Sequence, residues 1–122
     1  MAANKVFRFG PVAVPAAVGN LLNPPTAAGG VNAGASGNYI VLRHIRIINR
    51  DVAARTFSGF IGATGGSAAN TEFIGSALSI PANSYIDWYG AVRLDVADFF
   101  TGVASVVSTL SIQGEGEIGV AG

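Results

Sequence analysis

Tyr39-Ile-Val-Leu-Arg-His-Ile-Arg-Ile-Ile-Asn49 is the stretch on which the fold turns. It is dense in β-branched residues, which favour a pleated, half-buried strand, and it runs into the turn signal Asn49-Arg-Asp51. Strict alternation puts Val41, Ile45 and Ile47 on one face. Ile40, Leu42 and Ile48 fall on the other, beside His44 and Arg46. A half-solvated strand has one clean polar face. Apolar groups on both faces imply that a second sheet or another subunit covers the strand.

The same grammar extends toward the C-terminus. Ala54–Ile61 reads as a strand, followed by a small-residue loop over 62–70. Short strands follow at Glu72–Ile74, Ala77–Ile80, Ser84–Tyr89 and Val92–Val96, with Pro81-Ala-Asn-Ser84 as a turn and Gly90 as a break. In Ser84–Tyr89, Ile86 and Trp88 share the core face, and Tyr85, Asp87 and Tyr89 the outer one. Val103–Gln113 is the longest alternation, interrupted at Val107 and Ser108, and Glu115–Val120 closes the pattern. No segment sustains an apolar period of about 3.6 residues. Short strands at a spacing of roughly 8–12 residues predict an all-β fold, a single β-sandwich or jelly-roll-like domain over residues 39–122.

Toward the N-terminus the text changes. Residues 1–38 contain only Lys5 and Arg8 as charges, and they hold Pro11, Pro15, Pro24 and Pro25. Such Ala/Pro/Gly-rich sequence predicts an extended N-terminal arm, with Phe7, Arg8, Phe9, Val12 and Val14 lying on a neighbouring molecule. Deleting residues 2–30 is then expected to leave the sandwich folded.

Composition narrows the function. The chain has 122 residues, half of them hydrophobic and 11% charged, and its formal net charge is zero. Disordered chains are more polar and charged than this. No basic excess supports nucleic-acid binding. The absence of Cys removes disulfides and thiolate metal sites. No apolar run approaches the ~20 residues of a membrane helix.

Candidate chemistry is sparse. His44 is the one histidine and sits mid-strand, so it reads as a polar sheet-face or subunit contact, with no Cys or second His to join it. No serine stands in a nucleophile elbow, and Gly62-Ala-Thr-Gly-Gly66 has no P-loop lysine. Asp95 and Asp98 lack calcium-loop spacing and fit a strand end and a turn. Glu115 and Glu117 fit an exposed strand face. These readings assign no catalytic residue, metal or cofactor. Tyr85 and Tyr89 suit a surface contact, either with protein or, together with Asp87, with a glycan.

Charge order says more. Residues 1–55 carry Lys5, Arg8, Arg43, Arg46, Arg50 and Arg55 against Asp51, a net of +5. Residues 56–122 carry Arg93 against Glu72, Asp87, Asp95, Asp98, Glu115 and Glu117, a net of −5. Two readings follow: pairing within the chain across a sheet, or complementary edges that register one copy on the next.

Three runs carry a family resemblance: Tyr39–Asn49, Thr56-Phe-Ser-Gly-Phe-Ile-Gly62, and Ile80-Pro-Ala-Asn-Ser-Tyr85 leading to Val92-Arg-Leu-Asp-Val-Ala-Asp-Phe99. Together they resemble small β-sandwich structural proteins of tailed bacteriophages. The resemblance implies a virion component, made in the host cytoplasm, that acts as a capsid decoration (cement) protein. It implies partners in the major capsid protein or other virion proteins; closed rotational symmetry, the usual route for such units, adds further copies of the chain, as a trimer or higher assembly. Neither nucleic acid nor membrane is an expected partner. A tail, neck or fibre component, including a host-glycan-binding module, is the alternative. The contact residues expected on this reading are Phe7, Arg8, Phe9, Val12, Val14, Leu42, His44, Arg46, Tyr85 and Tyr89.

Overall fold

The computed structural model describes residues 5–24, 39–63, 72–95 and 97–119. These residues form eight strands: β1 (Lys5–Ala13), β2 (Gly19–Leu22), β3 (Ile40–Asn49), β4 (Arg55–Gly62), β5 (Glu72–Ile80), β6 (Tyr85–Leu94), β7 (Phe99–Ala104) and β8 (Leu110–Ile118). All pairings are antiparallel. One sheet has the order β1-β8-β3-β6 and the other β2-β7-β4-β5. Apart from the β4–β5 hairpin, every connection crosses from one sheet to the other. That is the double Greek key of a jelly roll, and the predicted β-sandwich is the fold.

The core lies between the sheets. Phe57, Phe100, Ile45, Ile112 and Leu94 are fully enclosed, and Trp88 and Ile86 pack against them as the alternation of β6 predicts. Each enclosed side chain of this size contributes roughly 1.5–3 kcal/mol. Phe100 is met edge-on by Phe9 and Phe73, and Phe73 in turn meets Trp88.

Three expectations need correction. First, the N-terminal stretch is not an arm on a neighbour. β1 pairs with β8 and β2 with β7, so this segment supplies one strand to each sheet. Phe7 (8% exposed), Phe9 (6%) and Val14 (0%), expected at an interface, belong to the protein's own core. Their alternation with Arg8 and exposed Val6 is that of an edge strand with one buried face. The part of the proposed arm at 25–38 lies outside the described residues.

Second, β3 has one continuous apolar face, and on the other only half-buried Val41 and Ile48 are apolar. Leu42 pairs with Gly116 and His44 with Glu115, so Arg43 is an extra residue in β3 relative to β8. This β-bulge shifts the side-chain phase by one. Ile40 and Leu42 before it and Ile45 and Ile47 after it all reach the same core, whereas His44 and Arg46 face out. Leu42 is fully buried and is therefore not a contact residue.

Third, Val103–Gln113 is not one strand. It comprises the end of β7, a turn through Ser108 at φ 63°, and the start of β8. Conversely, the segments on either side of Gly90 are one strand, β6, with Gly90 and Ala91 looping opposite Arg43. Glu72–Ile74 and Ala77–Ile80 likewise merge into β5, which kinks through Gly75 and Ala77 at positive φ.

Asn49 ends β3 as a buried hub. Its Nδ2 donates to the carbonyls of Ala53, Ile80 and Pro81, and its Oδ1 accepts the Asp51 N–H. One side chain thus joins the β3–β4 turn to the β5–β6 turn. With each such bond worth about 1 kcal/mol net, Asn49→Ala is expected to cost about 3 kcal/mol. Asn49→Asp sets a carboxylate against three carbonyl oxygens and is expected to be worse. Thermal midpoints at neutral pH should fall in the order wild type, Ala, Asp.

Candidate functional site

The polar outer face of the first sheet gathers most of the chain's chemistry. Its strands contain Arg8 (β1), Glu115 and Glu117 (β8), Arg43, His44 and Arg46 (β3), and Asp87 and Arg93 (β6). The cationic strand β3 lies between the acidic side chains of β8 and β6, so the opposed halves of the sequence meet across hydrogen-bonded neighbours.

At the centre, Arg46 clamps Asp87 with two parallel bonds, Nε to Oδ1 at 2.7 Å and Nη2 to Oδ2 at 3.0 Å. His44 Nε2 lies 2.9 Å from the same Asp87 Oδ1, and Nδ1 lies 3.3 Å from Glu115 Oε1. A neutral imidazole donates to one of these carboxylates; only the imidazolium donates to both. The Arg46 hydrogen bonds, and then that of His44, hold the Asp87 carboxyl down to about 2. The same pairing raises Arg46. Each edge tyrosine is backed by one of these groups. Tyr89 stacks on His44 with centroids 4.6 Å apart, and the Arg46 guanidinium lies 4.2 Å from the centre of Tyr85.

Around this centre Arg43 pairs with Glu117, Arg93 with Asp95, and Arg55 with Asp51. The Arg55 side chain and the Val52 N–H lower Asp51. Asp98 Oδ2 accepts the Asp95 N–H and closes the turn, which is the role its spacing suggests. These pairings support the intramolecular reading of the charge split. They leave little of it for registering a second copy.

A consequence is acid lability with a defined sign. A carboxyl held below its unfolded value stabilises the fold above about pH 4, and that contribution is lost as pH falls toward about 2. Asp87→Asn removes it. The variant should be less stable than the wild type at neutral pH, with the gap between urea midpoints closing as the pH drops to about 2. A gap constant with pH would show that the clamp is not the source.

Of the expected contact residues, the structure brings together His44, Arg46, Tyr85 and Tyr89 on this face; Arg8 and Val12 are exposed on β1. Tyr89 is 71% exposed and Tyr85 51%. Asp87 is held through both oxygens by Arg46 and His44, so it is not free to grip a sugar hydroxyl. The hydrogen-bond partners of His44 among the described residues are both carboxylates, an arrangement that fixes the ring.

Sequence reading missed one concave feature. Beside the end of β3, a cleft of about 630 Å³ is bounded by Val12 and Ala13 of β1, Ser111 and Gln113 of β8, and Ile48 and Arg50. Its residues are scattered over three segments and form no motif. The only signal was Arg50 itself, a cation placed directly after a strand end. The second sheet is chemically different. Its strands contain Arg55 and Glu72 as their only charged residues. Thr56 sits opposite Ser79, and Ser58 opposite Val103, on its outer side. Compared with known protein families and with curated proteins, the chain matches no family model and no curated sequence.

Proposed function

We propose that this protein is a structural component of a tailed-phage virion, a capsid decoration protein that binds the shell through its second sheet. The observation that carries this reading is the unequal split of charge between the two sheets. The first sheet has a dense, self-paired charged face suited to solvent. The second presents Thr56, Ser58, Ser79 and Val103 with almost no charge, and depletion of charge marks a surface whose centre is desolvated by a partner. An eight-stranded jelly roll is also a recurrent architecture of viral capsid domains. The sequence resemblance to phage structural proteins adds the setting, the virion with the major capsid protein for a partner, and closed rotational symmetry adds further copies of the chain as a trimer or higher assembly.

An antibody against the chain should label the heads of purified virions. Labelling confined to tails, or absence from the particle, would overturn the assignment. Ser79 is exposed on the second sheet, so Ser79→Glu should fold normally yet fail to rebind particles depleted of the protein. Full rebinding by that variant would place the contact elsewhere.

A further inference from the structure

Among the described residues Arg50 has no carboxylate partner. All seven acidic side chains lie among the described residues. Asp51, the nearest in sequence, is held by Arg55. Asp87, Asp95, Glu115 and Glu117 pair with Arg46, Arg93, His44 and Arg43. Asp98 closes its own turn, and Glu72 lies on β5 of the other sheet. The undescribed stretches contain no Asp or Glu.

This uncompensated cation stands on a groove. The Arg50 N–H donates to the Thr109 carbonyl, which fixes the backbone, and the side chain is exposed. It borders the 630 Å³ cleft beside Val12, Ile48 and Gln113. A second hollow of about 300 Å³ continues from Ile48 and Arg50 to Asn83 and Tyr85. The two together cross the sheet from β1 to β6. Three strand spacings make this about 15 Å, the span of four to five extended residues.

We propose that this groove receives an extended acidic peptide segment from a neighbouring chain, with an Asp or Glu carboxylate on Arg50 and small apolar side chains against Val12 and Ile48. Charge complementarity selects this occupant. The groove has apolar walls, neutral amide and hydroxyl groups, and one cation that no carboxylate among the described residues neutralises. A second copy is a poorer occupant, because five of its seven acids would first have to leave ion pairs within their own chain. The proposal deepens the assembly reading, but its test is independent of any particle.

The probe is the blocked peptide Ala-Val-Glu-Val-Ala, titrated into the isotope-labelled full chain and followed by amide chemical shifts. Its Gln counterpart is the control. Saturable shifts at Val12, Ile48, Arg50 and Gln113 are expected with the Glu peptide, and Arg50→Gln should weaken binding about tenfold. Absence of saturable shifts, or equal binding of the Gln peptide, overturns the proposal. So does the same response to sodium acetate, which would make the site one for a free anion. Concentration-dependent shifts of these amides without peptide would assign the groove to a second copy instead. A chain that labels virions but ignores the peptide loses only this inference, and one that binds the peptide but is absent from virions loses only the functional assignment.

Discussion

Deleting residues 1–14 is expected to abolish cooperative folding, not to release a tidy sandwich. The deletion removes Phe7, Phe9 and Val14 from the core and strips β8 of its outer partner. Truncating a buried Phe alone costs about 3–5 kcal/mol. Two of them with Val14 come to about 10 kcal/mol, against a total stability of about 5–15 kcal/mol for an ordinary domain. The remaining chain should show no sigmoidal urea transition and should aggregate through exposed β8. A truncated chain with a cooperative transition and native near-ultraviolet dichroism would refute this and restore β1 to the status of an appendage. The experiment also bears on function. Loss of particle binding by such a deletion cannot be read as loss of a contact arm.

The second large effect belongs to Gly116. Where Arg43 bulges out of β3, the backbones of β3 and β8 approach closely. A Cβ on Gly116 would lie 2.0 Å from the Val41 carbonyl oxygen and 3.1 Å from the Leu42 Cα. Main-chain atoms cannot rotate away as a side chain would. Gly116→Ala must therefore push the two strands apart or erase the bulge. Erasing it turns Ile45 and Ile47 outward, since a one-residue slip exchanges the faces of a strand. The expected cost is about 3 kcal/mol or more, a fall in thermal midpoint on the order of 10 °C. A midpoint within about 2 °C of wild type would mean that β3 can relax around the bulge without losing its register.

These two cases mark what could be read from the sequence and what could not. The sandwich itself was legible, because β-branched runs and turn residues alternate from Tyr39 onward, and Trp88, Ile86, Tyr85 and Tyr89 each take the face their parity assigns. The bulge was not, because alternation counts residues and cannot see that Arg43 occupies no rung of the ladder. Phe7 and Phe9 were misplaced for a different reason. An edge strand that contains Pro11 and is followed by Pro15 has the local composition of a loop, and only its distant partner β8 makes it a strand. At the site, the cation-rich and acid-rich halves were visible as numbers. That they pair across β3, β6 and β8 depends on strand order, which no local pattern encodes.

Sheet order also governs how the molecule is made. In the first sheet β1 pairs only with β8, with Lys5 opposite Ile118, so β1 waits until the six strands between them and β8 itself have been synthesised. β3 likewise finds its neighbours only once β6 and β8 exist. Contacts so distant along the chain make for slow folding, since loop closure precedes any gain from the contact. During that wait Phe7, Phe9 and the open edge of β2 are exposed to other nascent chains. Slowed synthesis or lower temperature during expression is therefore the handle by which yield of the soluble protein should be raised. The start of β1 and the end of β8, opposed at Lys5 and Ile118, also share one rim of the sandwich.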